Sequence, residues 1–415
     1  MAPKYVSWKA IIWSAILFHL VLAFHNCCGV DGANYFSAYS QYTFGIPAAR
    51  HNYFSSLFSC VAIFHLLSSC LFIPLTASIK IINAACWIAC SYLVAGHFCN
   101  HGRSSSRWWF ACLVFNPIAV FDIHYHVQHD AMALFLMVLG LLFYGQRRVS
   151  SKIIAGLSWA IAASMKVYPL FLLPLFIFDR RHSLKDKFIF YGSSAFFLFV
   201  PEVPWICRIG WSETFLKAIS YKSFNRFGLY RVVDAISDKQ GTVHWAVEGL
   251  FRLLDGHAPI VVCGLILIVG LFVYLRGISL FRAMGLCFAL ILLICTRNTP
   301  QALMLVAPFL VLFRKKAALI FANASYSLVL AFFYLLDNEM NGSYCLLKTL
   351  SSYSLSRNFI AFWENLLPII SLYLWGWIYL LASFAFVYGY WPARREEGGI
   401  SSPALGYRSG LLRFV

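Results

Sequence analysis

Asn116-Pro117-Ile118-Ala119-Val120-Phe121-Asp122-Ile123-His124-Tyr125-His126-Val127-Gln128-His129-Asp130 sets two carboxylates and three histidines between two apolar stretches. In a chain of 415 residues that is 61% hydrophobic and only 12% charged, such a polar knot belongs at a membrane surface. Lys166-Val167-Tyr168-Pro169 repeats the pattern, with a charge where an apolar run ends. Ionisable side chains at the mouths of membrane helices are costly, so both places are functional candidates.

Composition fixes the class. A mean hydropathy of +0.72 and repeated apolar runs of roughly 18 residues or more belong to an all-α polytopic membrane protein. The runs do not alternate apolar with polar residues, so helices rather than a closed barrel satisfy the backbone in lipid. The net charge of +17 is divided into short clusters between the runs, the pattern of cytoplasmic loops and not of a nucleic-acid surface. Most of the thirteen cysteines lie inside apolar runs without a CxxC pair, where they act as small hydrophobes. Cys27, Cys28, Cys207 and Cys345 are the candidates for an oxidising compartment. The first run, 8–25, continues into Phe24-His25-Asn26-Cys27 without a small-residue cleavage site and is expected as a retained helix.

Charge then sets a topology. The clusters Arg103/Arg107, Arg147/Arg148/Lys152, Arg180/Arg181/Lys185/Lys187, Arg276/Arg282, Arg314/Lys315/Lys316 and Arg394/Arg395 are assigned to the cytoplasm. The runs 108–122, 153–165, 187–204, 281–295 and 317–336 then lead outward. The run 56–75, with His65, Ser68, Ser69, Cys70 and Pro74, is expected as a half-buried outer segment. About twelve transmembrane helices result, or about thirteen if 56–75 crosses. All the unusual polar loops fall on the outer side: 26–55 with Asp31, 122–130, Lys166 to Pro169, 205–257, 296–301 and 337–362. No internal repeat is visible. One active face favours an enzyme over the rival class, a lipid-carrier flippase or transporter, which places charges along a path from both leaflets.

Gly29-Val30-Asp31-Gly32-Ala33-Asn34-Tyr35-Phe36 after the first helix, then Phe44-Gly45-Ile46-Pro47, resembles the opening of GT-C glycosyltransferases. The order Asn116-Pro117, Gln128-His129-Asp130, Lys166-Val167-Tyr168-Pro169 with Pro174, and Thr299-Pro300-Gln301 resembles bacterial polyprenyl-phosphate-sugar-dependent mannosyltransferases. The resemblance implies a GT-C-like catalytic module over 1–315, including outer loops 26–78 and 205–257. C-terminal transmembrane helices over 316–391 and a cytoplasmic tail over 392–415 would follow.

It also implies a reaction. A hexose, mannose or glucose, passes from a polyprenyl-phosphate donor to an acceptor hydroxyl by displacement at the anomeric carbon. The weak hydroxyl nucleophile needs a carboxylate base, and Asp31 matches the family's. The leaving phosphate needs cationic donors, for which Lys166, Arg208, Arg226, Arg231 and Arg297 are the candidates. Asp122, His124, His126, Gln128, His129, Asp130 and Tyr168 are the expected substrate contacts, with Asp130 in the family's acidic position. Each has a plainer reading: Asp31 as a loop acid or cap, Lys166 as a snorkelling helix end, Arg226 and Arg231 on a surface helix. Histidines two apart face opposite sides of a helix, and no fourth ligand set is present, so metal is not expected. No cofactor is expected either, because the lipid-bearing phosphate needs only cationic side chains. The implied partners are the lipid-linked sugar, a glycan, glycolipid or protein acceptor, and membrane lipids. An O-antigen-modifying glucosyltransferase would run the same chemistry on lipopolysaccharide. The implied location is a bacterial inner membrane or endoplasmic reticulum membrane, with the site facing periplasm or lumen.

Overall fold

The computed structural model describes residues 7–24, 66–97, 103–127, 129–216, 257–294, 300–312 and 316–336, with scattered positions elsewhere such as Phe64, Trp245, Ala382 and Ser383. Among the described residues there are helices and no strand. The main elements are α1 (Trp8–Ala23), α2 (Leu75–His97), α3 (Arg103–Val114), α4 (Pro117–Val120) running on as a π-helix (Phe121–His126), α5 (Asp130–Tyr144) and α6 (Val149–Met165). They are followed by α7 (Tyr168–Leu172) with a 3-10 continuation (Leu173–Phe178), α8 (Leu184–Phe199), α9 (Val203–Ile209), α10 (Ala258–Arg276) and α11 (Leu280–Ile294). A 3-10 segment (Pro300–Leu312) then leads to α12 (Lys316–Leu336).

Local sequence explains where these helices begin and break. The Ser7 hydroxyl accepts from the Ala10 N–H at 3.1 Å and caps α1. Ser183 and Asp186 form a reciprocal capping box at the start of α8. The expected run 108–122 is interrupted, because Asn116 caps a new helix whose first residue is Pro117. Pro174 and Pro308 lack an N–H, and each lies in a 3-10 stretch rather than in an α-helix.

The α6 helix is central: α5 packs on one side of it and α8 on the other, while α2 packs on α5 and α1 on α2. Small residues let α6 and α8 approach closely. At Gly156 an added Cβ would meet the Ser194 N–H at 2.8 Å and the Phe190 carbonyl at 2.9 Å. Trp159 and Phe190 fill the space beside this crossing, with Phe176 edge-on to Trp159 and Tyr144 edge-on to Phe190. The buried indole N–H groups of Trp87 and Trp159 are satisfied by the carbonyls of Leu113 and Pro169, at 3.0 and 2.9 Å.

Because α5 and α6 are joined by the short link 145–148, they run antiparallel, and the sequence's polar features separate to opposite ends. Asp130 and Lys166 share one end. The other end holds Lys152, whose ammonium donates to the Tyr144 carbonyl and lies 3.0 Å from Nδ1 of His182. Asp179 binds Arg181 there at 2.8 and 3.1 Å. Burial and the Lys152 ammonium beside it push the His182 imidazole down to about 4.

Among the described residues, two helical stretches, Leu75–His97 and Leu184–Arg208, are long and apolar enough to cross a membrane. Eight further apolar helical stretches among the described residues are shorter, at 10–17 residues. Large apolar side chains also cover the outside, such as Phe188 at 75% exposure, with Leu17, Val21, Ile260 and Ile320. A helical body apolar both inside and outside is that of a membrane protein. Of the run 56–75, residues 66–71 are helical and end at Phe72, where φ is 53°, before Pro74 and α2.

Candidate active site

The polar knot folds as a π-helix closed by a strained residue. Asn116 accepts from the Ile118 N–H at 2.9 Å and donates through its amide to Oδ1 of Asn323 on α12, also at 2.9 Å. The chain then widens into the π-helix over Phe121–His126 and stops at Val127, which is buried and left-handed at φ 60°, ψ 41°. A β-branched residue in that region costs on the order of 1–3 kcal/mol, and strain of this kind gathers at functional sites. π-helical turns do the same.

On one side of the turn lies a carboxyl pair with a cation between α5 and α6. Asp130 is the first residue of α5, where the helix dipole favours a negative charge. Lys166 is the extended residue that ends α6. Their side chains meet at 3.2 Å, with exposures of 5% and 12%. Asp122 is 1% exposed, and Asp130 and Lys166 are the charged groups that act on it. Tyr168, packed edge-on against Phe288, is within electrostatic range of both carboxyls. Among the described residues, neither oxygen of Asp122 nor the Tyr168 hydroxyl has a hydrogen-bond partner. Buried polar atoms left open in this way await a polar ligand or water.

On the other side stands an imidazole pair. His124, at 2% exposure, brings Nε2 to 2.7 Å from Nδ1 of His19 on α1, and the rings stack with centroids 5.0 Å apart. Nε2 of His19 lies 3.0 Å from the Val114 carbonyl. Lys80, buried in α2 at 1% exposure, acts on His124 as well. His19 also lines an apolar groove of about 400 Å³ between α1 and α2, walled by Ile12, Ile16, Ala85 and Ile88.

The structure thus joins Asp122, Asp130, Lys166 and Tyr168, and sets His124 in a neighbouring cluster. His129 is buried as the residue before α5. His126 lies in the π-helix by its backbone. Arg208 is exposed in the last turn of α9 and joins neither cluster. Asp31, Gln128, Arg226, Arg231 and Arg297 lie outside the described residues. Among the described residues no three His, Cys, Asp or Glu side chains gather as a metal-binding group. Sequence reasoning missed His19 and Lys80. A charge within an apolar helix was the available signal for Lys80, and His19 carried none beyond being a polar ring in an apolar run.

The family model of glycosyltransferase family 87 matches residues 54–296, more than half of the chain. The matched region contains both clusters except for His19, and it excludes Asp31 and Arg297. No curated protein matches the chain.

Proposed function

Because the chain belongs to glycosyltransferase family 87, we propose that it is a multi-pass enzyme taking mannose or glucose from a polyprenyl-phosphate carrier and passing it to an acceptor hydroxyl on the extracytoplasmic or lumenal face. The observation that carries this reading is the separation of ends. The open carboxyl of Asp122, the Asp130–Lys166 pair and Tyr168 lie opposite the basic cluster of Lys152, Arg181 and Lys187, which is the end that positive residues keep in the cytoplasm. Helices α5 and α6, with 15 and 17 residues, measure about 22–26 Å, shorter than the roughly 30 Å of hydrocarbon. The acidic cluster therefore lies below the membrane surface, at the depth where a lipid-linked phosphate can present its sugar.

In this mechanism Asp31 takes the acceptor's proton as the new glycosidic bond forms and the bond from the anomeric carbon to the phosphate oxygen breaks. The proton stays on the carboxyl and the electron pair leaves with the lipid phosphate. Lys166, held by Asp130, is the cation that meets that oxyanion. Arg208, Arg226, Arg231 and Arg297, in the outer loops, are the other candidates to meet that charge. Asp122, Asp130, Tyr168, Gln128 and the histidines of the turn hold sugar hydroxyls, a role that suits the Asp122 carboxyl and the Tyr168 hydroxyl, which have no hydrogen-bond partner among the described residues. No metal is required, because side-chain cations meet the phosphate charge. The lipid-linked donor and the orientation follow from the resemblance and the charge pattern together.

Membranes containing the protein are incubated with radiolabelled polyprenyl-phosphate mannose or glucose. Wild type consumes one of them and forms a labelled product, while Asp31→Asn, folded equally well, loses on the order of 100- to 10,000-fold in turnover. Consumption of neither donor sinks the lipid-donor reading, and an active Asp31→Asn moves the base to Asp122 or Asp130.

A further inference from the structure

His19 sits within an apolar helix, yet it determines which nitrogen of His124 carries a proton. A carbonyl only accepts, so Nε2 of His19, 3.0 Å from the Val114 oxygen, must donate. In the neutral ring Nδ1 is then a lone pair, and what meets it at 2.7 Å must be the Nε2–H of His124. Nδ1 of His124 is left as an acceptor. Among the described residues no hydrogen bond reaches that buried atom. Lys80, buried in α2, is close enough to act electrostatically on the same ring. A buried bare acceptor calls for a donor, and on a sugar the donor is a hydroxyl.

We propose that His19 is a positioning residue that locks His124 as its Nε2–H tautomer, so that Nδ1 accepts a hydrogen bond from a substrate hydroxyl. In a glycosyltransferase such hydroxyls come from the donor hexose or from the acceptor. Helix α1 thereby takes part in substrate recognition, although it lies outside the segment matched by the family. A purely mechanical role for His19, stitching α1 to the π-helix, would leave the His124 tautomer without consequence for substrate. The kinetic arm of the test below rests on the lipid-linked-donor reading; the spectroscopic arm does not.

Solid-state NMR of the full chain in lipid, labelled with 15N-histidine, isolates the His124 signals by difference from His124→Gln. The expected spectrum shows a protonated Nε2 and a bare Nδ1. His19→Phe keeps an aromatic ring of similar size but can neither accept nor donate, so it shifts His124 toward the other tautomer. His19→Asn, whose amide both accepts and donates, brings the first tautomer back. With polyprenyl-phosphate mannose or glucose as donor, His19→Phe raises KM by about tenfold for the substrate that supplies the hydroxyl, and His19→Asn recovers most of it. Titrating donor at fixed acceptor, then the reverse, tells which substrate that is. His19→Phe combined with His124→Gln is no worse than His124→Gln alone. A wild-type His124 protonated on Nδ1 overturns the proposal, and so does an unchanged KM for both substrates once the tautomer has been lost. If wild type consumes neither lipid donor, the donor reading fails while the spectrum still decides the tautomer.

Discussion

Lys166 faces two buried carboxyls, and that imbalance sets what each substitution does. Removing the cation leaves Asp122 and Asp130 together in a low-dielectric pocket without a counter-charge. Breaking a buried pair in this way costs about 3–5 kcal/mol. Removing Asp130 instead leaves Lys166 with Asp122 still near it, so the loss is smaller. Lys166→Met is therefore expected to lower the thermal midpoint in detergent more than Asp130→Asn does, and the double variant recovers part of the loss because one buried carboxyl, rather than two, is then left without the cation. Strictly additive midpoints across the four proteins would show that the 3.2 Å contact carries no coupling. This pairing was readable from the sequence in outline. Two helices with a short link run antiparallel, and Asp130 opens one while Lys166 closes the other. His19 and Lys80 were not readable in the same way. His19 finds its partner 105 positions away, and a lysine near the start of an apolar run reads equally well as one that snorkels to the interface.

At the scale of helices, the site is only as precise as the stacking of α5, α6 and α8 that holds its floor. Gly156 marks the tightest point of that stack. A methyl there would run into Ser193 Oγ and would meet the Ser194 N–H at 2.8 Å and the Phe190 carbonyl at 2.9 Å. The serine hydroxyl can rotate away, but the two backbone groups belong to a regular helix and cannot. Gly156→Ala is expected to push α8 off α6 and loosen Trp159 against Phe190, at a cost of about 1–3 kcal/mol. Gly192→Ala on the same α8 is the control, since a methyl there meets nothing within 4 Å. Equal melting midpoints for the two variants would refute the close crossing. The helices themselves were legible as apolar runs, whereas their interruptions were less so. The break at Asn116 follows from an amide cap before a proline. The π-helix has no comparable marker, because its widened turn is imposed by contacts of His124 and Asn116 with α1 and α12. The strain at Val127 likewise appears only in three dimensions, since valine is not a residue chosen for positive φ.

For the whole molecule, the antiparallel order makes a prediction that holds whatever the orientation in the membrane. Asp130, Lys166 and the stretch after α8 share one end, whereas Val149, Lys152 and Leu184 share the other. Cysteines introduced at Ser212 and at Leu184, in a background freed of the thirteen native cysteines, must therefore never both label from the same side of a sealed membrane. Both positions are exposed, so failure to label reports the barrier and not burial. The positive-inside pattern then fixes the sign. Arg180, Arg181, Lys185 and Lys187 flank Leu184, so its cysteine is expected to react with an impermeant reagent only after the membrane is opened, as is one at Val149. The cysteine at Ser212 is expected to react in intact cells or sealed vesicles of matching orientation. Labelling of Leu184 from outside with Ser212 protected would invert the enzyme and place the Asp122–Asp130–Lys166 cluster on the cytoplasmic side. The donor would then have to be reached from that leaflet. Labelling of both from one side would break the antiparallel arrangement itself, and with it the meeting of Asp130 and Lys166 on which the site depends.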